Sequence, residues 1–345
     1  MQVFNKVQNH KEICTKTGLA KTIRACSENN RTPSWAPETY TFSGHLALTT
    51  ELPKLKKAFQ LHAHKSDNSE RTERNDMSTD PSSAPGVSQS ESENSGKLWI
   101  LKPAAMNRGK GIQIFNNFKD METFLRGHVI RESYVVQKYI ENPLLIDKRK
   151  FDIRMFVLVT TSASSADHKA RKAPKVYLYP DGYVRTCSVK YNYEDVRDQS
   201  SHLTNDAVQK TTEEYGAFED CNKLSFEQFE DIFLGKLDFE RDVYSQIKKA
   251  TAELFGVAMK QMKPQDVPGS FELFGLDFMV DDNHQVYLVE VNTSPALFRK
   301  GDHLKQLLPR VMEEVLQKAL DPWFPPPLDA SPPEKLDRFE ELDLR

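Results

Sequence analysis

The sequence predicts an α+β fold, and three observations carry that prediction. Strand and helix signals alternate from about residue 98 onward. Several of the apolar strands are separated by tight-turn signals. The chain has 345 residues, 38% of them hydrophobic and 28% charged, which is enough apolar material for a substantial core.

The elements follow in order. Thr17–Ala25 has helical periodicity, ended by Pro33 and Pro37, and an extended PETYTF segment comes next. Residues 65–97 contain no aromatic side chain and almost no aliphatic one. They cannot bury enough surface to offset their ordering entropy, so they read as a disordered linker or long surface loop. Residues 1–64 are then a partial N-terminal piece, too small to be a convincing domain, and 98–327 the main domain.

Within that domain Leu98–Leu101 is a strand, Arg108–Gly111 a glycine turn and Ile112–Phe115 a second strand. Asp120–Arg126 suits a helix, and Ser133–Ile140 is a strand stopped at Asn142-Pro143. Phe151–Thr160 is another strand, followed by a polar, basic connection over Thr161–Pro174. Val176–Tyr179 and Tyr183–Thr186 flank Pro180-Asp181-Gly182, a hairpin signal because Gly tolerates positive φ. Helices follow at Phe226–Phe233 and Arg241–Met259, strands at Phe271–Val280 and Val286–Val291, and a helix at His303–Leu320. The proline-rich, acidic tail, 328–345, is expected to be disordered.

Composition removes some function classes. A net charge of -3 and a pI near 6.3 argue against a globally basic nucleic-acid binder. Cys14, Cys26, Cys187 and Cys221 form no CxxC pair and no zinc-finger spacing, so they read as reduced thiols of a cytosolic protein. No apolar run approaches the roughly 18 residues of a membrane span, and no signal core opens the chain.

Four motifs carry chemistry. In FELFGLDFMVDDNHQVYLVEVN, a turn centred on Asn283 and His284 places Asp277 opposite Glu290, with Asn292 on the same face. Like charges opposed in an apolar hairpin need something positive between them. Two carboxylates and an amide oxygen suit Mg²⁺. In KRKFDIRMFVLV, Lys150, Asp152 and Arg154 share one strand face, which suits phosphate, or equally a solvated salt-bridge ladder on an amphipathic edge strand. In LWILKPAAMNRGKGIQIF the glycines and lysines could approach phosphate, but GKG between strands is more readily a plain hairpin turn. It is neither a Walker A loop nor a Rossmann fingerprint. VVQKYIENPLL could offer a strand end to a purine, or be a core strand and its exit. Thr204 and Asn205 of HLTN could bind phosphate or cap a helix, and His202 reads as structural.

Taken together and in this order, WILKPAAMNRGKGI, VVQKYIENPLLI, KFDIRMFVLV, YPDGYVRT, HLTNDAVQK and FELFGLDFMVDDNHQVYLVEVNTSP resemble the tubulin–tyrosine ligase family. The resemblance implies an ATP-grasp ligase core over 98–327, with a nucleotide held between two mixed α/β subdomains and an N-terminal domain shorter than the family's. It implies that Lys102, Lys150 and Asp152, with Lys16, lie at ATP phosphates, and that Arg108 and Gly109 belong to a phosphate loop. Gln137, Lys138, Tyr139 and Ile140 would line the adenine site, and Thr204 and Asn205 would lie at the nucleotide. Arg154 and Arg185 would steady an acyl-phosphate or the incoming amino acid. Asp277, Glu290 and Asn292 would hold Mg²⁺, and the resemblance also admits K⁺.

The implied reaction joins an amino acid, through an acyl-phosphate intermediate, to the C-terminal carboxylate of α-tubulin, with α-tubulin or the tubulin dimer as partner. Tyrosine is favoured by HLTNDAVQK, YGAFEDCNKLSFEQF and WFPPP, while NTSPAL looks like glutamate- and glycine-adding relatives. The rival is a non-catalytic tubulin-binding protein of the same fold. A cytoplasmic, cytoskeleton-associated protein follows from either. The basic segment 168–175 and Lys54, Lys56 and Lys57 are candidate docking patches, or solvated surface.

Overall fold

The computed structural model describes residues 2–27, 31–62, 98–161, 173–325 and 336–344. The linker expected over 65–97, and residues 162–172 of the expected basic connection, lie outside the described residues. The chain forms two units, Glu38–Glu141 and Met1–Pro37 with Asn142–Arg345. The first boundary therefore falls near residue 38 rather than at 64. The cause is the PETYTF segment, whose strand pairs within the smaller unit.

The smaller unit is a four-stranded antiparallel sheet of β1 (Thr39–Phe42), β2 (Trp99–Pro103), β3 (Gln113–Phe115) and β4 (Tyr134–Lys138), in the order β1-β4-β2-β3. Alternation along β2 puts Trp99 and Leu101 on one face, where they join Phe42, Leu55, Met121, Leu125 and Val136. Trp99 is fully buried and stacks on Phe59 at 5.2 Å between ring centroids. The core is closed by helices over 52–62 and Phe118–His128, the latter capped by Asn117, whose side chain accepts from Lys119 N.

The larger unit is an eight-stranded sheet: β5 (Leu145–Ile146), β6 (Arg149–Thr160), β7 (Lys175–Leu178), β8 (Tyr183–Lys190), β9 (Lys223–Leu224), β10 (Phe271–Val280), β11 (Val286–Thr293) and β12 (Glu340–Glu341). β6 is its spine, with β10 on one side and β8 then β7 on the other. All twelve residues of β6 are buried, so the solvated edge-strand alternative for this segment does not hold. Phe151, Ile153, Met155, Val157 and Val159 face a core made with helix Ser245–Met262. On the opposite face, Phe156 and Leu158 pack with Leu304, Leu307, Leu308 and Val311 of helix Asp302–Ala319. That same face continues through Arg154, Asp152 and Lys150, so it changes from apolar to charged where the helix contacts end.

Two expectations are corrected. Val176–Tyr179 and Tyr183–Thr186 do not form a hairpin. β7 and β8 both run antiparallel to β6, pairing Leu178 with Val157 and Tyr183 with Arg154, so residues 179–182 are a jog in one edge. Gly182 is needed there for close approach: a Cβ would lie 2.2 Å from the Arg154 carbonyl oxygen. The tail 328–345 is also not disordered throughout. β12 pairs with β7, and Phe339 and Leu342 are buried, because acidic flanks do not stop two well-spaced apolar side chains from docking on the sheet.

Candidate active site

The β10–β11 hairpin was expected to oppose Asp277 and Glu290, and it does so by a different route. The turn spans 281–285, tied by Asp281 Oδ1 accepting from Asn283 N at 3.0 Å and Gln285 N at 2.8 Å. From there the register runs Val280↔Val286 to Phe278↔Leu288, and a bulge at Val289 then brings Asp277 opposite Glu290. Gly275 faces Asn292.

The positive charge beside Asp277 comes from arginines. Arg154 on β6 donates through Nε to Oδ1 at 2.5 Å and through Nη2 to Oδ2 at 3.0 Å. Arg185 on β8 reaches Oδ2 at 2.9 Å and also forks onto Asp152, with Nε and Nη2 each at 2.6 Å. Asn292 Nδ2 adds a bond to Asp277 Oδ2 at 3.2 Å, and Thr204 Oγ1 donates to Asp152 Oδ2. Burial would raise the Asp277 pKa, but the Arg154 and Arg185 guanidiniums win and hold it below the usual carboxylate range. Neither Nη1 group has a hydrogen bond among the described residues. Both side chains line one cavity of about 220 Å³, with Tyr183, Asp206, Lys223 and the segment Asn292–Ala296.

The donor chemistry fits a hard divalent cation. Glu290 is half-buried and makes no hydrogen bond or ion pair among the described residues, and the Asn292 amide oxygen is also unengaged. Asp277 lies on the same face, and its two oxygens already accept four donors. Among the described residues no three His, Cys, Asp or Glu side chains gather to hold a metal. The hairpin set is two acids and an amide.

The remaining expected residues divide between the units. In the larger, Lys150 is buried with its ammonium 5.8 Å from the Tyr191 ring centroid. Asn205 precedes the short helix Asp206–Gln209 without a side-chain cap, and Lys16 opens helix Lys16–Ala25, which packs beside β11. His202 bonds the Asp195 carbonyl at 3.0 Å, a structural contact. In the smaller unit, buried Lys102 donates to Gln137 Oε1 at 2.7 Å, and Lys138 to Leu98 O at 2.8 Å and to Glu141. Tyr139 is buried and Ile140 half-buried. Arg108 and Gly109 both have positive φ in the loop joining β2 to β3, an antiparallel hairpin. Of the docking patches, Lys175 pairs with Glu341 at 2.7 Å and Lys54 with Glu51 at 2.8 Å, while residues 168–172 lie outside the described residues.

Tyr183, Asp206 and Lys223 were not expected in the site. Lys223 lies on a two-residue strand just before a capping box, Ser225 with Gln228, and locally reads as an ordinary helix entry. Only the pairing of β9 with β8 brings it to the cavity.

Two sheet-and-helix units, one with buried lysine and amide groups and the other with a forked arginine–carboxylate cluster beside an acidic hairpin, define an ATP-grasp-like fold. The sequence profile of the tubulin-tyrosine ligase family matches residues 1–331, and the chain belongs to that family. Tubulin glycylase 3B of Tetrahymena thermophila is 33% identical over 227 residues, covering 65% of this chain and 18% of that protein. The human inactive polyglycylase TTLL10 is 31% identical over 249 residues, 65% of this chain and 35% of its own length. The probable alpha-tubulin polyglutamylase Ttll1 of Tetrahymena thermophila is 29% identical over 244 residues, 67% of this chain and 56% of its own. The chain thus spans about a fifth of the length of the glycylase relatives it matches. Among the described residues no helix is long and apolar enough to cross a membrane.

Proposed function

We propose that this chain is an ATP-dependent ligase that joins glycine or glutamate, rather than tyrosine, to a carboxylate of tubulin. The observation that carries the reading is the pair Arg154 and Arg185, which line one cavity and whose Nη1 groups have no hydrogen bond among the described residues. The relatives' names, glycylases and polyglutamylases, support glycine or glutamate over the tyrosine suggested by HLTNDAVQK and WFPPP.

A carboxylate is a poor electrophile at neutral pH. In the proposed reaction an acceptor carboxylate oxygen attacks the γ-phosphorus of ATP, the bond to the β-phosphate oxygen breaks, and ADP leaves. The amine of the incoming amino acid attacks the resulting acyl carbon, the C–O bond to phosphate breaks, and the amine proton passes to solvent. The products are an amide, ADP and phosphate. Mg²⁺, held by Glu290, Asn292 and Asp277, would supply charge neutralisation at the phosphates. Lys102, Lys150 and Lys16 are proposed ATP ligands, with Arg108 and Gly109 over the phosphates and Gln137 to Ile140 at the base. Asp152 orients Arg185, and Thr204 holds Asp152 in turn. The anion would be met by guanidinium ends whose other N–H groups are already fixed, so little reorganisation remains for the transition state.

Incubation with ATP, Mg²⁺, tubulin and one amino acid at a time, followed by mass spectrometry of the tubulin tails, tests this. The expected result is a mass increment of glycine or glutamate that requires ATP. Addition of tyrosine alone would overturn the amino-acid assignment. ATP binding without any product would favour the non-catalytic reading, to which the name of the inactive polyglycylase is relevant.

A further inference from the structure

The cavity is lined by two sets of cations, neighbours across the strands through Arg185 and Lys223, and they are finished differently. In one, Arg154 and Arg185 each keep Nη1 open after their other donors are committed to Asp277 and Asp152. Two guanidinium ends side by side can hold one anionic group. In the other, the cation is Lys223, almost wholly buried. Its ammonium has three N–H bonds to give. It donates to Asp206 Oδ1 at 3.1 Å, to Asp206 Oδ2 at 3.4 Å and to the Cys221 carbonyl at 3.0 Å. The lysine is thereby committed to this cluster. Asp206 itself is only one-third exposed, and its carboxyl is held below the ordinary range against the pull of burial by Lys223 and Lys210, so it stays ionised.

We propose that the Asp206–Lys223 pair sets amino-acid choice by withholding the cavity's lysine from a second anionic group, so that the wild-type chain uses glycine in preference to glutamate. The inference rests on the ligase reading above. Every amino acid brings an α-carboxylate, and the arginine pair can meet one anion. Glutamate brings a second carboxylate, which finds Lys223 committed to Asp206 and the Cys221 carbonyl, and Asp206, shared between Lys223 and Lys210, of its own sign beside it. Leaving that carboxylate unpaired in a confined site costs far more than omitting it. Glycine makes no such demand. Rejection through a blocked partner and a repelling charge is a recognised route to specificity. Tyr183 and Pro295 line the same cavity and offer no cation in compensation.

The test is a competition in one tube. Wild type, Asp206→Asn and the double variant Asp206→Asn/Lys223→Met are each given ATP, Mg²⁺, tubulin and equimolar glycine and glutamate, and the tails are read by mass spectrometry. The ratio of the two products does not depend on the fraction of protein that is folded. Wild type should favour glycine. Asp206→Asn keeps the shape and a neutral acceptor but releases the lysine charge, and should raise the glutamate-to-glycine ratio by roughly tenfold or more. The double variant should lose that gain, since the cation is gone. A wild type that prefers glutamate, or an Asp206→Asn ratio equal to that of wild type, overturns the specificity inference and leaves the ligase reading standing. A gain retained without Lys223 overturns it too. A wild type that adds neither amino acid overturns the glycine-or-glutamate assignment and this inference with it.

Discussion

Lys102 of the smaller unit and the buried arginines of the larger keep different company. In the smaller, Lys102 donates to an amide oxygen, that of Gln137, whose own Nε2 is anchored to Thr39 Oγ1 at 3.0 Å. That contact leaves the ammonium charge in place. In the larger, guanidiniums are forked onto carboxylates: Arg154 onto Asp277, Arg185 onto Asp152 and Arg149 onto Glu219. Those contacts cancel charge and fix geometry together. The difference teaches which residues the fold depends on and which it merely carries. A carboxylate wedged between two buried arginines is structural whatever else it does.

The strongest way to break this comparison is Asp277→Ala. It leaves Arg154 and Arg185 buried without their shared anion, and removal of one partner from such a cluster typically costs about 3–5 kcal/mol. Urea unfolding should show that loss as a lower midpoint at unchanged slope. A loss under about 1 kcal/mol would mean that the arginines find other partners, and the contrast between the units would fall.

The acid limb of the stability curve gives a second, smaller measure. The folded pKa of Asp277 is depressed. Its contribution is therefore fully present above the unfolded value of about 3.9 and is lost as pH falls through the lower folded value. Unfolding midpoints without added divalent ions should decline below about pH 4 more steeply in wild type than in Asp277→Ala. Parallel declines would remove Asp277 as the source of acid sensitivity.

How far the sequence could be read follows the same division. Alternation made β6, β10 and β11 legible, and with them the shared face of Lys150, Asp152 and Arg154. The opposition of Asp277 and Glu290 was legible as a need for positive charge, but not its source. Arg154 and Arg185 come from two other strands, and only the pairing of β6 with both β8 and β10 joins them to Asp277. The bulge at Val289 carries no sequence mark, and the correct register came from placing the turn one half-step away. Pro180-Asp181-Gly182 misled because a glycine chosen for close approach looks the same as one chosen for positive φ. Asp206 and Lys223 were invisible as a pair, being 17 residues apart on a four-residue helix and a two-residue strand.

The smaller unit sharpens the comparison from its own side. Lys102→Met keeps the length of the buried stem and removes the charge. It should lower the unfolding free energy by less than Asp277→Ala does, because the desolvation cost of the ammonium is removed along with its hydrogen bond to a neutral amide. ATP binding, followed by calorimetry, should weaken by at least tenfold, about 1.4 kcal/mol. Loss of fold with intact binding would invert the assignment of Lys102.

The smallest effect on stability, with the largest on turnover, is expected for Glu290→Gln. Glu290 has no partner to lose among the described residues, and it sits across the strand from the ionised Asp277. Opposed like charges on facing positions cost roughly 0.2–1 kcal/mol, so a neutral side chain of the same shape should leave stability unchanged or raise it by that amount. An acid kept against this cost, beside an amide oxygen that is also unengaged, is explained by a cation it binds. Titration of thermal stability with Mg²⁺ in the presence of ATP separates the alternatives. Wild type should gain stability as Mg²⁺ is added, and Glu290→Gln should gain far less and form no product. If the variant instead melts several degrees lower without metal and responds to Mg²⁺ as wild type does, Glu290 is a prop of the hairpin, and the cation must be held elsewhere.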